Sequence, residues 1–413
     1  MEIQRVVSKG GVEAWLVEEH AIPLIALQAS FHGGSRMDPV GKEGTSAMLA
    51  ALLDEGAGDL DAQTFQERLE GKAIGLGFDS DTDSFSASLS TLSENRDEAF
   101  SLLALALTKP RFDAEPVARV RSQYLSARLR LVEDPQSYAG ELWVEKALPG
   151  TFYGRPANGT EDSLKSITVD DLRSYAKANL ARDRIKISVV GDIDAKTLGR
   201  LLDTTFGGLP KKGVAVKLQD VKPQGGGQTI VERRDIPQSV VVFGGPGLKR
   251  DDPDFYAATV LDSIVGGSGF GSRLTEEVRE KRGLAYGVYT YLMPLDYAGM
   301  SGGGVATKNA NVSQSIEIIK SELARVVADG VTQQELEDTK TYLTGSYALR
   351  FDTNAKIARV LTSVQLENLG IGYIKKRNDL INAVTLADIK RVAPQIYALD
   401  KMLFVVVGDP AGM

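Results

Sequence analysis

The chain has 413 residues, of which 43% are hydrophobic and 25% are charged, and its formal net charge at pH 7 is −7. This composition is typical of a globular protein, while the acidic balance and the lack of lysine and arginine clusters argue against nucleic-acid binding. Cysteine is absent, which excludes disulfides and thiolate zinc ligands, and no apolar run reaches the roughly 18–20 residues of a membrane span.

The N-terminal region contains the only two histidines of the chain, His20 and His32. They are 12 residues apart, so they cannot form a pair of zinc ligands separated by one helical turn. A Ser-His-Asp triad would need one of these two histidines. A lone histidine near a turn is more often structural than a metal ligand, so we predict no histidine-based active site.

An internal repeat links the two halves of the chain. Residues 167–192 are similar to residues 384–409 at a constant offset of 217 residues, and nine of the 26 aligned positions are identical. Each copy begins with a Thr-x-x-Asp capping box, at Thr168 and at Thr385, which predicts a helix N-terminus. An amphipathic helix, a polar turn and a buried strand that ends at Gly-Asp are predicted to follow. The repeat therefore indicates the duplication of a whole domain.

The duplication predicts a chain of two homologous domains. A segment rich in proline, lysine and glycine separates the copies and is typical of an exposed linker, so we expect domains at 1–212 and 228–413 joined by 213–227. Residues 84–89 alternate with period two, which predicts a half-buried strand. We predict the α+β class, with a mostly antiparallel sheet and helices on one face in each domain, and a pseudo-twofold axis between the domains.

A glycine-rich run at 266–271, Gly-Gly-Ser-Gly-Phe-Gly, stands out in the second half. It contains a loose G-x-G pattern, but it lacks the βαβ context and the downstream acidic residue of a dinucleotide site. The phosphate-binding loop of P-loop proteins is also absent. Neither nucleotide binding nor a nucleotide cofactor is predicted.

Three segments, together with the duplication, resemble one protein family. They are His-Gly-Gly-Ser-Arg-Met-Asp-Pro at 32–39, Tyr-Gly-Arg-Pro-Ala-Asn-Gly-Thr-Glu-Asp at 153–162, and Arg-Glu-Lys-Arg-Gly-Leu-Ala-Tyr-Gly-Val-Tyr at 279–289. The ensemble resembles the insulinase/pitrilysin-type (inverzincin) zinc metallopeptidases, and in length it is similar to their short bacterial branch of two-domain subunits. The resemblance covers essentially the whole chain, and the third segment is the most specific.

Active members of this family carry H-x-x-E-H on the first long helix, where two histidines bind zinc and the glutamate is the general base. The resemblance places the ligand positions of this chain at Ala47 and Ala51, the base position at Ala50, and the position of a later glutamate ligand near Ala127. Alanine offers no lone pair to a metal, so no zinc-bound water can form. We expect no metal site in this chain and no peptidase activity of the chain alone.

The resemblance also implies a retained Arg–Tyr pair, Arg279 and Tyr286, that reaches into a zinc site. A tyrosine hydroxyl can donate to the oxyanion of a tetrahedral intermediate, and a guanidinium can hold substrate carbonyls. A partner subunit with H-x-x-E-H would supply zinc, so the resemblance implies a heterodimer that cleaves a peptide or unfolded protein bound at a sheet edge. We expect the entrance to be lined by the glycines of the 266–271 run: Gly266, Gly267, Gly269 and Gly271.

Other interpretations of the sequence stay open. Arg279 could simply form a surface ion pair with Glu276 or Glu277, and the chain could be a structural protein, a lone peptide-binding module or a carboxylate-based hydrolase. The family's closed chamber could also form from two identical chains. We expect a periplasmic location, with the cytoplasm as the alternative, because a strand-like run at 3–7 begins the sequence without a signal peptide and because bacterial relatives are commonly periplasmic.

Overall fold

The computed structural model describes residues 1–267 and 271–413, and eleven strands and fourteen helices lie within them. The strands are β1 (Gln4–Val7), β2 (Glu13–Glu18), β3 (Leu24–His32), β4 (Gly75–Ser80), β5 (Ser84–Leu92), β6 (Ile185–Gly191), β7 (Thr229–Arg233), β8 (Gln238–Pro246), β9 (Ala285–Leu295), β10 (Ala298–Lys308) and β11 (Leu403–Gly408). The helices are α1 (Thr45–Ala50), α2 (Ala62–Gly71), α3 (Arg96–Thr108), α4 (Ala114–Glu133), α5 (Pro135–Ala147), α6 (Glu161–Ser166), α7 (Val169–Asn179), α8 (Ala195–Phe206), α9 (Phe255–Val265), α10 (Val312–Asp329), α11 (Gln333–Gly345), α12 (Asn354–Leu366), α13 (Tyr373–Asn382) and α14 (Leu386–Ile396).

The chain forms two compact units, and each is built from three segments. The first unit comprises Met1–Arg128, Pro156–Val216 and Ala348–Tyr373, and the second comprises Leu129–Arg155, Lys217–Tyr347 and Ile374–Met413. Each unit therefore takes one segment from the sequence half that mainly builds the other. The segment Leu129–Arg155 carries α5 into the second unit, and Ala348–Tyr373 carries α12 into the first.

The two sheets share one topology, which supports the duplication inferred from the repeat. The first sheet has the order β1-β2-β6-β3-β5-β4, and the second has the order β7-β11-β8-β10-β9. In both, the strand of the repeat (β6 or β11) is central, pairs in parallel with one neighbour and pairs antiparallel with the other. The remaining pairs are antiparallel, because hairpins join most of the strands.

The repeat folds as its sequence predicts. Thr168 and Thr385 are the N-caps of α7 and α14, and both capping boxes are formed. The residues of β6 are buried from Ile187 onward, and those of β11 are buried throughout. The predicted strand at 84–89 lies inside β5, where Phe85, Ala87 and Leu89 are buried and the serines face the other side.

A layer of helices packs on one face of each sheet and a single helix packs on the other. In the second unit, Trp143 of α5 is 1% exposed, and its indole Nε1 donates to the carbonyl of Leu403 across 3.1 Å. In the first unit, Gln365 of α12 donates from Nε2 to the carbonyl of Ile187 and to Ser188 Oγ, both at 2.9 Å. These hydrogen bonds give partners to buried polar groups, which would otherwise destabilise the folded protein. In the part of the chain that the structure describes, no helix combines the length and the apolar character needed to cross a membrane.

Candidate functional site

The segment before α1 fixes the position of that helix. The side chain of Asp38, 4% exposed, accepts hydrogen bonds from the backbone N–H groups of Gly44 and Ser46, both at 2.9 Å. Tyr175 donates from its hydroxyl to the carbonyl of Gly34 across 2.8 Å. Gly34 has φ of +69°, and a Cβ there would lie 2.1 Å from the carbonyl oxygen of Asp81, so only glycine fits. This segment therefore has a structural role of its own.

The positions equivalent to the zinc motif are buried or half-buried alanines of α1 and its C-cap. Ala47 and Ala50 are 4% and 5% exposed, and Ala51, the C-cap of the helix, is half-buried. Tyr124 of α4 donates from its hydroxyl to the carbonyl of Ala47 across 2.9 Å, and burial, with a smaller effect of Asp79, raises the pKa of that hydroxyl. The α4 residue that reaches α1 is thus Tyr124.

Ala127 lies one helical turn beyond Tyr124 and is exposed. Methyl groups at all four positions do not fit zinc, which takes nitrogen, sulfur or carboxylate ligands. Over residues 1–267 and 271–413, no group of three or more His, Asp or Glu side chains is placed to hold a metal ion.

The two histidines have partners of their own. His20 is exposed at the end of β2, where Nδ1 lies 2.7 Å from Asp192 Oδ1 and Nε2 lies 3.4 Å from Glu18 Oε2. The hydrogen bond with Asp192 raises the pKa of His20, and Glu18 raises it further. His32 is the last residue of β3, and its backbone N–H donates to Arg184. Both positions agree with structural roles.

Arg279 and Tyr286 lie together at the start of β9. Arg279 belongs to a π-helical turn, Thr275–Glu280, and its guanidinium carbon is 5.1 Å from the centroid of the Tyr286 ring. This distance permits a cation–π interaction. The Tyr286 side chain is 88% exposed. The Arg279 Nε is 3.4 Å from Glu280 Oε1.

The charged residues of this turn form several ion pairs. Glu277 lies 2.7 Å from Lys281 and 2.5 Å from Arg282, and Glu276 lies 3.6 Å from Lys281. Glu276 and Glu277 are therefore engaged by the two basic residues that follow the turn. Arg279 has its side chain over the ring of Tyr286. π-helical turns are rare and are frequent at functional sites.

A β-bulge determines the face on which Tyr286 lies. Val305 of β10 is opposite Val288, but Thr307 is opposite Ala285, so Tyr286 and Gly287 together lie opposite Ala306. Ala285 and Val288 both pack into the helix-side core, and the bulge places Tyr286 on the opposite face with Ala306. Bulges commonly re-aim a side chain in this way next to functional sites.

Two further tyrosines, Tyr289 and Tyr291, share this face of β9. They are 44% and 36% exposed, and their rings stack with centroids 6.0 Å apart. They lie opposite Gly304 and Gly302 of β10. The sequence analysis missed them. The alternation of tyrosines at 289 and 291, set against the glycine run at 302–304, is the pattern that would have identified them.

The predicted glycine run begins directly after α9. A Cβ on Gly266 would lie 2.7 Å from Thr290 Oγ1, and the Gly266 carbonyl accepts from the Thr290 N–H across 2.9 Å. The N–H groups of Gly266 and Gly267 both donate to the carbonyl of Asp262. Gly271 is exposed with open space around it, and Gly269 lies outside the described residues. Gly266 and Gly267 therefore have a packing role that accounts for their identity.

Comparison with known proteins identifies the family that this arrangement resembles. Residues 166–343 match a family model described as the peptidase M16 inactive domain. A Helicobacter pylori protein described as the non-peptidase homolog YmxG is 28% identical over 395 residues, which cover 95% of this chain and 90% of the relative. A Bacillus subtilis protein described as the uncharacterized zinc protease YmxG is 27% identical over 417 residues, which cover 99% of each.

A solved structure agrees with these relatives. The crystal structure of a peptidase M16 inactive domain from Pseudomonas fluorescens is 27% identical, has a TM-score of 0.93, and covers 100% of this chain and 98% of its own. The resemblance to this peptidase family, drawn from the sequence, is confirmed, and so is the α+β class.

Proposed function

We propose that this chain is the non-zinc-binding subunit of a heterodimeric zinc metallopeptidase. Residues 166–343 of the chain match the inactive domain of the M16 peptidases. Arg279 and Tyr286 of this chain would act in a composite site with a partner that carries H-x-x-E-H. The observation that carries the proposal is the exposed Tyr286 ring under the Arg279 guanidinium, in a chain whose zinc positions are alanines.

The chemistry assigned to this chain is positioning and charge stabilisation. The partner would supply the zinc and the general base that this chain lacks. Tyr286 would donate from its hydroxyl to the oxyanion that forms during peptide hydrolysis, an interaction that typically contributes about 3 kcal/mol to transition-state stabilisation. Arg279 would hold the Tyr286 ring in place through the cation–π contact, and its guanidinium would donate hydrogen bonds to substrate carbonyls.

The substrate in this proposal is an extended peptide or a segment of an unfolded protein. Such a segment can add a strand to the edge of a sheet, where backbone groups are accessible. Among the described strands, β4 forms one edge of the first sheet and β9 forms one edge of the second. Tyr286 is the second residue of β9. A peptide at this edge would therefore contact both the backbone of β9 and the Tyr286 side chain. Gly271, which is exposed, remains a candidate for lining the entrance.

A second candidate function is a catalytically inactive structural or peptide-binding protein of the same fold. The Helicobacter pylori relative is described as a non-peptidase homolog, and that description favours this candidate. The two functions differ in what they require of Arg279 and Tyr286. A structural protein would tolerate Arg279→Ala and Tyr286→Phe without loss of function.

The test uses this chain and an H-x-x-E-H chain from the same source, each alone and mixed. We expect zinc only in the partner, a stable complex in size-exclusion chromatography, and peptide cleavage that is strongest in the mixture. If the mixture forms no complex and cleaves no faster than the partner alone, the composite site is wrong and the structural candidate replaces it. Fractionation of the source cells tests the periplasmic location that belongs to this proposal, against the cytoplasmic alternative.

A further inference from the structure

Tyr289 and Tyr291 form a flat aromatic surface because the strand beneath them has no side chains there. A Cβ on Gly302 would lie 2.8 Å from Cζ of Tyr291, and a Cβ on Gly304 would lie 2.9 Å from the hydroxyl oxygen of Tyr289. Both distances are too short for a carbon atom, so the glycines allow the rings to lie across β10. The two rings are stacked at an interplanar angle of 25°.

This arrangement costs strand stability. Glycine inside a strand loses more conformational entropy than other residues and offers no side chain to pack. A strand interior that keeps glycine often marks a place where a ligand or another backbone approaches closely. Here the glycines support two rings that remain 44% and 36% exposed, so part of each ring is available to a ligand.

The surroundings define what kind of ligand this surface suits. Tyr286 lies on the same face of β9 and is 88% exposed. Gln136 of α5 donates from Nε2 to the Tyr289 hydroxyl across 3.1 Å. None of these side chains carries a formal charge at neutral pH. Aromatic faces of this kind pack against apolar and aromatic side chains in offset or edge-on geometry. The surface therefore suits an apolar or aromatic group.

The Tyr289–Tyr291 surface is continuous with the Arg279–Tyr286 pair. Tyr286, Tyr289 and Tyr291 lie along one face of one strand, because the bulge at Tyr286–Gly287 brings Tyr286 onto the face of the other two. One extended peptide added at the edge of β9 beside Tyr286 would also run beside Tyr289 and Tyr291, and its side chains on that face would lie next to their rings, since residues two apart in a strand are separated by about 7 Å.

We propose that Tyr289 and Tyr291 form a specificity subsite that binds an apolar or aromatic side chain of the extended peptide held beside Arg279 and Tyr286. The choice of a peptide as the occupant rests on the proposed function. The subsite itself makes a separate prediction, which is that binding depends on the chemistry of one peptide side chain. Arg279 and Tyr286 act on the peptide backbone, and Tyr289 and Tyr291 select a side chain.

The test is NMR spectroscopy of the full chain with ¹³C-labelled tyrosine rings, in which Tyr289→Phe and Tyr291→Phe assign the two signals. The probes are a short unstructured peptide with Phe at its centre and the same peptide with Ala there. We expect millimolar Phe peptide to shift the Tyr289 and Tyr291 signals, and the Ala peptide to bind more weakly. Tyr291→Ala should raise the Kd of the Phe peptide about three- to tenfold.

Matched variants keep the result interpretable. Tyr342→Ala removes a tyrosine that is 50% exposed on α11, and it should leave Kd unchanged. Tyr291→Leu keeps an apolar side chain, so it should bind the Phe peptide more tightly than Tyr291→Ala does. It also keeps the test valid if Tyr291→Ala folds poorly. Equal binding of the Phe and Ala peptides would overturn the subsite, as would unshifted Tyr289 and Tyr291 signals at millimolar peptide.

Two further outcomes separate this proposal from its alternatives. If the two signals shift with the concentration of the chain rather than of the peptide, a second copy covers the surface and the proposal is wrong. If Phe-dependent binding is present but no partner ever yields cleavage, the composite active site fails while the subsite stands. If cleavage by the mixture needs Tyr286 but is indifferent to Phe or Ala, the composite site stands while the subsite fails.

Discussion

Tyr397 donates a hydrogen bond from its hydroxyl to Oδ1 of Asp262, a residue of α9, across 3.1 Å. Tyr397 is 1% exposed. Burial raises the pKa of Asp262 to about 6, although the hydrogen bonds from Thr290 and Tyr397 oppose the shift. The backbone carbonyl of the same Asp262 accepts the N–H groups of Gly266 and Gly267, so this residue joins the helix to the loop that leads toward Arg279.

The raised pKa of Asp262 predicts a pH-dependent stability with a defined sign. Between pH of about 4 and about 6 the folded state keeps a proton that the unfolded state has lost, so the free energy of unfolding falls as pH rises through this window and levels off above it. The total change is at most about 3 kcal/mol, because the shift is about two units and the residue keeps some exposure.

Asp262→Asn should remove this dependence, since Asn cannot titrate and still accepts from Tyr397. Urea unfolding at pH 4.5 and pH 7 would measure it. We expect the variant to gain stability relative to the native chain at pH 7 and to gain little at pH 4.5. An unchanged difference between the two pH values in Asp262→Asn would contradict the assignment.

The contact of Gly266 with Thr290 predicts a position-specific effect of a methyl group. Gly266→Ala places Cβ 2.7–2.9 Å from three atoms of Thr290, and such overpacking typically costs about 1–3 kcal/mol. Gly271→Ala is the matched control, because nothing lies within 4 Å of a Cβ there. Thermal unfolding of both variants should show a lower Tm for Gly266→Ala only. Equal Tm values would mean that the loop yields without strain.

The exchanged helices predict that neither half of the sequence folds alone. A fragment 1–216 lacks α12, which covers β3 and β6 in the first unit, and a fragment 217–413 lacks α5, which covers β8 and β11 in the second. Each fragment would expose to water apolar residues of the sheet that the missing helix buries in the whole chain, which is unfavourable. We expect separate fragments to aggregate or remain unfolded, and co-expressed fragments to form a soluble complex with native circular dichroism.

A control for the fragment experiment is the full chain cleaved at an inserted protease site in 213–227. The cleaved chain should stay folded, because the exchanged segments remain paired with their sheets. A fragment 1–216 that is monomeric, folded and cooperative in unfolding would show that α12 is not needed by the first sheet.

The elements that carry local signals were predictable from the sequence. Thr168 and Thr385 cap their helices as the capping boxes predict, because such bonds form within four residues. The strand at 84–89 was predictable because alternation is a local property of β5. The internal repeat and the alternation predicted two α+β domains, and the family resemblance agreed with them.

The features that depend on long-range contacts were not predictable. The sequence near α5 and α12 does not show that each helix packs in the other unit. An amphipathic pattern predicts a helix with an apolar face, but it does not predict which sheet that face covers. The bulge that turns Tyr286 is a property of the register between β9 and β10. The resemblance placed the later ligand position near Ala127, but the α4 side chain that bonds to Ala47 is Tyr124, one turn earlier. The contact between α4 and α1 is a long-range contact, which the sequence does not show.

The measurement that tests the central proposal most directly is the kcat of the purified two-chain complex with native chain and with Tyr286→Phe, at equal zinc content. The side chain of Tyr286 is exposed, so the substitution should leave Tm unchanged, and Tyr342→Phe serves as the matched control. The proposed function predicts that Tyr286→Phe lowers kcat about 100-fold or more, as removal of an oxyanion donor does, with KM little changed. A complex that cleaves at the native rate with Tyr286→Phe would contradict the assignment of this chain to the active site.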